Sequence, residues 1–133
     1  MDRRTTARQI AMQGLYQLDI KADLEMVKKF ITAASDDDLV CSLAEEWTLK
    51  TWQNKPSIDE MITKAAIKWQ MSRLSPVDKS ILRLSAYQIK FCPEIPDKVV
   101  INEAIEMAKK YSSQQAPGFV NGVLDAVMKS SKE

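Results

Sequence analysis

Histidine is absent from all 133 residues. That absence removes Ser–His and Cys–His nucleophile pairs, imidazole metal ligands and imidazole acid–base chemistry. Glycine is nearly absent too. Gly14, Gly118 and Gly122 are the three in the chain, too few and too dispersed for a glycine-rich phosphate loop. The two cysteines, Cys41 and Cys92, stand far apart, and no Cys-x-x-Cys occurs. They read as two free thiols in a reducing compartment, with a single disulfide as the alternative. No apolar run approaches the roughly 20 residues of a membrane span. The N-terminus turns polar and helical at once, unlike a secretory signal. Neither charge dominates: 19 basic residues face 18 acidic ones, for a net charge of +1. A polyanion-binding surface therefore has to come from local clustering. These absences lead to an expectation of no metal, no cofactor and no membrane segment, in a cytoplasmic protein. Carboxylate or lysine chemistry is left open by them, although no motif points to it.

What is present is helical. Hydrophobic residues make up 45% of the chain and charged residues 28%, an ordinary globular balance at a length that buries a core without staples. Nearly every segment repeats with a period near 3.6 residues, and no alternating strand stands out. In the first helix Ala7, Ile10, Ala11, Gly14, Leu15 and Leu18 form one apolar stripe. Thr6 and Gln9 suit a capping box there, with Arg8, Met12 and Tyr16 opposite the stripe. A second helix is expected over about 23–34, and "SDDDL" then opens a third with an acidic first turn. In "NKPSIDE" the third helix breaks, and Ser57 and Glu60 suit a capping box for the fourth. "RLSPVDKSILRLSAYQI" carries the clearest start signal: Ser75 as N-cap, Pro76 at the first helical position and Asp78 at the third. "CPEIPDK" ends this fifth helix. A sixth is expected over about 98–111 and a last one from near Phe119. The fold class is all-α: a compact bundle of about seven helices in two packed subdomains, about 1–55 and 56–133, forming a single domain.

Four features bear on function. Arg3, Arg4 and Arg8 cluster at a helix N-terminus, the end that disfavours cations. Guanidinium forks suit phosphate oxygens and stack on bases, whereas a solvated basic end would explain the same residues. Tyr16, about two turns on, offers an aromatic face for an unpaired base or a packing tyrosine. In "PGFVNGVLD", Asn121 and Gly122 are poor mid-helix residues. They suit either ligand approach or close helix packing, with Phe119 as ligand contact or staple. Arg73, Ser75 and Asp78 suit a protein partner or a plain solvated face. In "INEAIEMAKKY", Glu103 and Glu106 have the spacing of a solvated helix face rather than a catalytic pair, with Glu106 and Lys110 four residues apart.

Together "RRTTARQIAMQGLYQLD", "RLSPVDKSILRLSAYQI", "IPDKVVINEAIEMAKKY" and "FVNGVLD" resemble, in order and spacing, the NusB family of bacterial transcription antitermination factors. Each motif is modest alone; the set spans nearly the whole chain. The resemblance implies an all-α fold without enzymatic activity. It implies binding of the boxA element of ribosomal-RNA leader transcripts together with a small-subunit ribosomal protein, called NusE in this role. That complex would join NusA, NusG and RNA polymerase. On the same resemblance, Arg3, Arg4 and Arg8 would contact RNA phosphates, and Tyr16, Phe119 and Asn121 would line the same surface. Arg73, Ser75 and Asp78 would face the ribosomal protein. Gly118 stands where the family often has a basic residue, and Gln88 where it usually has an acidic one. A homodimer, a module of a ribosomal-RNA methyltransferase and a protein-binding adaptor are the competing readings. The chain shows no nucleotide-fold segment for the second of these.

Overall fold

The computed structural model describes residues 2–66, 71 and 74–131. These form seven helices: α1 (Arg3–Asp19), α2 (Leu24–Ala34), α3 (Asp38–Gln53), α4 (Lys55–Ala65), α5 (Pro76–Phe91), α6 (Asp97–Tyr111) and α7 (Ala116–Ser131). Trp69, expected on the inner stripe of α4, lies outside the described residues.

Side-chain caps set most of the starts. Asp23 accepts from the Met26 N–H at 2.9 Å, and Asp37 from the Leu39 N–H at 3.0 Å. Ser75 Oγ accepts from the Asp78 N–H at 3.1 Å, as the Ser-Pro-x-Asp pattern predicts. Three starts differ from the sequence expectation. α1 begins at Arg3 rather than Thr6, because the Asp2 carboxylate accepts from the Arg4 N–H at 2.7 Å. That anion also offsets the dipole which the arginines oppose. α4 begins at Lys55, because Pro56 fits its first turn; the Ser57 hydroxyl donates to the Asn54 carbonyl instead of capping. α7 begins at Ala116, since Pro117 likewise fits a first turn, so Gly118 and Phe119 lie inside the helix.

α5 is the axis of the fold. Every residue from Ser80 to Ile89 is buried, and α1, α4, α6 and α7 all pack on it. α1 also lies along α3, where Gly14 permits close approach. A Cβ built there would sit 3.2 Å from both Thr48 Cγ2 and Thr48 Oγ1. The core joins Leu15, Ile31, Ile58, Ile81, Leu84 and Leu124 into one cluster. Met12, expected on the outer face of α1, is only 2% exposed and belongs to that core. Cys41 and Cys92 are free thiols.

One ionic clasp ties three helices. Arg83, 4% exposed, sets Nε and Nη2 on the two oxygens of Asp59 at 2.8 and 3.0 Å. Its Nη1 donates to Asp19 at 2.8 Å, and Lys79 reaches the other Asp19 oxygen at 3.2 Å. The end of α1, the middle of α4 and the first turns of α5 are thereby fixed to one another.

Candidate nucleic-acid interface

The three N-terminal arginines go to three different places. Arg3 is exposed and sets Nε 2.7 Å from Asp37 at the start of α3. Burial works to raise the Asp37 carboxyl pKa; the Leu39 and Val40 N–H groups and Arg3 together outweigh it and hold it below the ordinary value. Arg4 is exposed and has no carboxylate within ion-pair distance among the described residues. It lines a cavity of about 330 Å³ with Trp47, Tyr87 and Phe91. The Tyr87 and Phe91 rings stack there at 5.4 Å.

Arg8 is a correction to the sequence reading, which put it on the outer face. It is 3% exposed. Its Nη1 meets Glu103 at 2.9 Å, its Nε donates to Gln88 Oε1 at 3.1 Å, and its guanidinium lies 5.4 Å from the Trp47 ring centroid. Desolvation lowers its pKa, and the Glu103 carboxylate works against that. Position 8 borders the apolar stripe closely enough for a long side chain to turn inward once a counter-ion waits there. Arg8 therefore locks α1 to α5 and α6. Gln88, 1% exposed, leaves its Nε2 without a partner among the described residues. An acidic residue there would instead pair fully with the guanidinium.

The outer face of α1 carries Thr5, Gln9, Gln13 and Tyr16, spaced at one helical side. Along it runs a furrow of about 400 Å³ shared with Glu103, Glu106, Lys109 and Lys110 of α6. Gln9 Oε1 accepts from the Tyr111 hydroxyl and from Lys110 Nζ, each at 3.0 Å. Gln13 Nε2 donates to the Tyr111 oxygen at 3.3 Å. Thr5 donates to Glu103, which also holds Arg8. Lys109 meets Glu106 at 3.4 Å, so Lys110 turns to Gln9 and not to the glutamate expected from its spacing.

These contacts pin the end of α6 to the middle of α1, and α7 opens five residues after Tyr111. Five residues span at most about 18 Å, so the first turn of α7 starts close to this seam. Phe119 is half-buried against the core, whereas Asn121 and Gly122 are exposed. A Cβ at Gly118 or Gly122 would meet nothing within 4 Å. Close helix packing therefore does not explain either glycine: both leave bare helix surface.

Ser75 and Asp78 stand at the start of α5, beside this same end of the seam. Ser75 is the exposed cap of α5. Asp78, half-buried, accepts from the Ser112 hydroxyl at 2.6 Å and so ties α5 to the α6–α7 loop. Arg73 lies outside the described residues. Sequence reasoning missed Gln9, Gln13, Lys110 and Tyr111 as members of one surface. The signal for the α1 half was there: positions 5, 9, 13 and 16 share a helix face and carry only polar or aromatic residues.

A family model described as the NusB family matches residues 5–129. A curated relative from Bacillus cereus strain B4264, named transcription antitermination protein NusB, is 40% identical over 125 residues, covering 94% of this chain and 96% of that protein. The solved NusB of T. maritima aligns with a TM-score of 0.85 at 31% identity, over 97% of this chain and 92% of that one. A crystal structure described as antitermination factors NusB and NusE in complex with dsRNA contains a chain that aligns at 0.87 and 26% identity, over 98% of each chain.

Proposed function

The chain belongs to the NusB family, and from that premise we propose that it is a transcription antitermination factor. It binds boxA-type RNA of ribosomal-RNA transcripts together with a small-subunit ribosomal protein of the NusE kind. It has no enzymatic activity and works in the cytoplasm, where the complex joins NusA, NusG and RNA polymerase. The observation that carries the RNA role is the unpaired, exposed Arg4 beside the surface-held Arg3, at the head of a polar helix face that leads to Tyr16 and the bare start of α7. Arg3 and Arg4 contact phosphates. Arg8 supports the surface from beneath by anchoring α1. Tyr16, Phe119 and Asn121 supply stacking and base-edge contacts. Ser75 and Asp78, with Arg73, face the ribosomal protein.

Few cations serve this surface, so RNA affinity alone is weak and a protein partner completes it. The test is an Arg3→Ala, Arg4→Ala double variant, measured for binding to boxA-type RNA with the ribosomal protein present. Two lost phosphate contacts to a single strand lower the log–log salt slope by about 1.4, with melting unchanged. Wild-type affinity and slope in the double variant would refute the RNA face. Running single-stranded and duplex RNA side by side decides which form is bound.

A further inference from the structure

We propose that the α1–α6 furrow discriminates RNA sequence, separately from the arginines that supply affinity; this rests on the RNA-binding reading above. Cations neutralise phosphates but carry little sequence information, whereas amides and hydroxyls address base edges. The furrow is built in the second way. Both of its carboxylates are already committed, Glu103 to Arg8 and Thr5, and Glu106 to Lys109. Lys110 is the one surplus cation among the described residues of the furrow, and it lies 5.2 Å from the Tyr111 ring centroid.

The amides are held in defined orientations. The Tyr111 hydroxyl donates to Gln9 Oε1 and accepts from Gln13 Nε2, so one phenol sets the direction of both. Gln13 Oε1 accepts no hydrogen bond from the described residues, and one N–H of its amide remains beyond the bond to Tyr111. A half-buried glutamine that presents both an acceptor and a donor, fixed in advance by a neighbour, matches a base edge at little ordering cost. The furrow begins at Thr5, the residue after Arg4, and Gln13 and then Tyr16 continue the same α1 face beyond it. A strand drawn to the arginines and stacked on Tyr16 has to cross it.

The experiment uses the full chain with its ribosomal-protein partner and two fluorescent single-stranded RNAs, a boxA-type sequence and a permutation of equal length and composition. Anisotropy gives both affinities across a salt series. Gln13→Ala lowers the ratio of the two affinities about tenfold and leaves the salt slope alone. Gln13→Glu, which keeps the side-chain volume, removes the donor and adds a negative charge, lowers the ratio too while weakening both RNAs. Tyr111→Phe lowers the ratio too, because the amides lose their pin. Lys110→Ala weakens both RNAs alike and reduces the slope by about 0.7. An unchanged ratio in both Gln13 variants, with melting intact and wild type still discriminating, would overturn the assignment of the furrow alone. A wild-type complex that binds neither RNA would overturn the RNA-binding reading and the furrow with it.

Discussion

Replacing Arg83 by methionine tests whether the ionic clasp holds the bundle together. The substitution keeps much of the apolar stem and removes three hydrogen bonds, two to Asp59 and one to Asp19. Breaking a buried pair by deleting one partner costs about 3–5 kcal/mol, because the surviving charge stays desolvated. Two features place the expected loss at the lower end. Asp59 retains 26% side-chain exposure and can take up water. Asp19 keeps Lys79 as a second cation. A loss of about 3 kcal/mol is a large share of the 5–15 kcal/mol typical of such a domain, and it lowers Tm by roughly 10 °C. Urea titration and thermal melting by circular dichroism measure it.

The pH dependence gives a second reading of the same clasp. Burial works to raise the Asp19 carboxyl pKa; hydrogen bonds from Arg83 and Lys79 outweigh it, so the folded pKa lies below the ordinary value. A lowered carboxylate pKa contributes stability that is present above the unfolded value near 4 and is lost as pH falls through the folded value. Wild type should therefore lose stability on acidification below pH about 4 more steeply than Arg83→Met. A loss under about 1 kcal/mol, with parallel acid limbs for the two proteins, would refute a structural role for the clasp.

Glycine substitutions should separate packing from open surface. Gly14→Ala forces a Cβ to 3.2 Å from buried Thr48, so overpacking outweighs the helix-propensity gain and the protein loses about 1 kcal/mol in urea titration. Gly122→Ala meets nothing and should gain roughly 0.5–1 kcal/mol in the same assay, while RNA affinity falls if bare helix surface is what the ligand approaches. Thr51 buries a hydroxyl with no partner among the described residues. Thr51→Val removes it at constant shape and should raise stability by about 1 kcal/mol, read as a higher denaturant midpoint at unchanged m-value.

The helices were legible because their signals are local. Apolar residues at helical spacing, Ser75 with Pro76 and Asp78, and the acidic start of α3 need no knowledge of the partner helix. The misplaced starts of α1, α4 and α7 have related causes: Asp2 caps α1 upstream, and Pro56 and Pro117, which lack the N–H that a first turn leaves orphaned, let α4 and α7 begin earlier. The family, and with it the all-α class, was legible from motif order along nearly the whole chain.

The direction of each arginine was not legible. Arg3, Arg4 and Arg8 look alike in sequence, yet Arg8 turns inward because Glu103, 95 residues away, supplies a counter-ion beside Trp47. The same long-range pairing joins Gln9 and Gln13 to Tyr111 and makes one furrow of two helices that are distant in the chain. Sequence alone thus determined where helices form and which family they build, since those follow from nearest-neighbour chemistry. Only the tertiary structure decided which polar groups are spent inside the fold and which remain for a ligand, because burial and pairing depend on what the chain brings up from elsewhere.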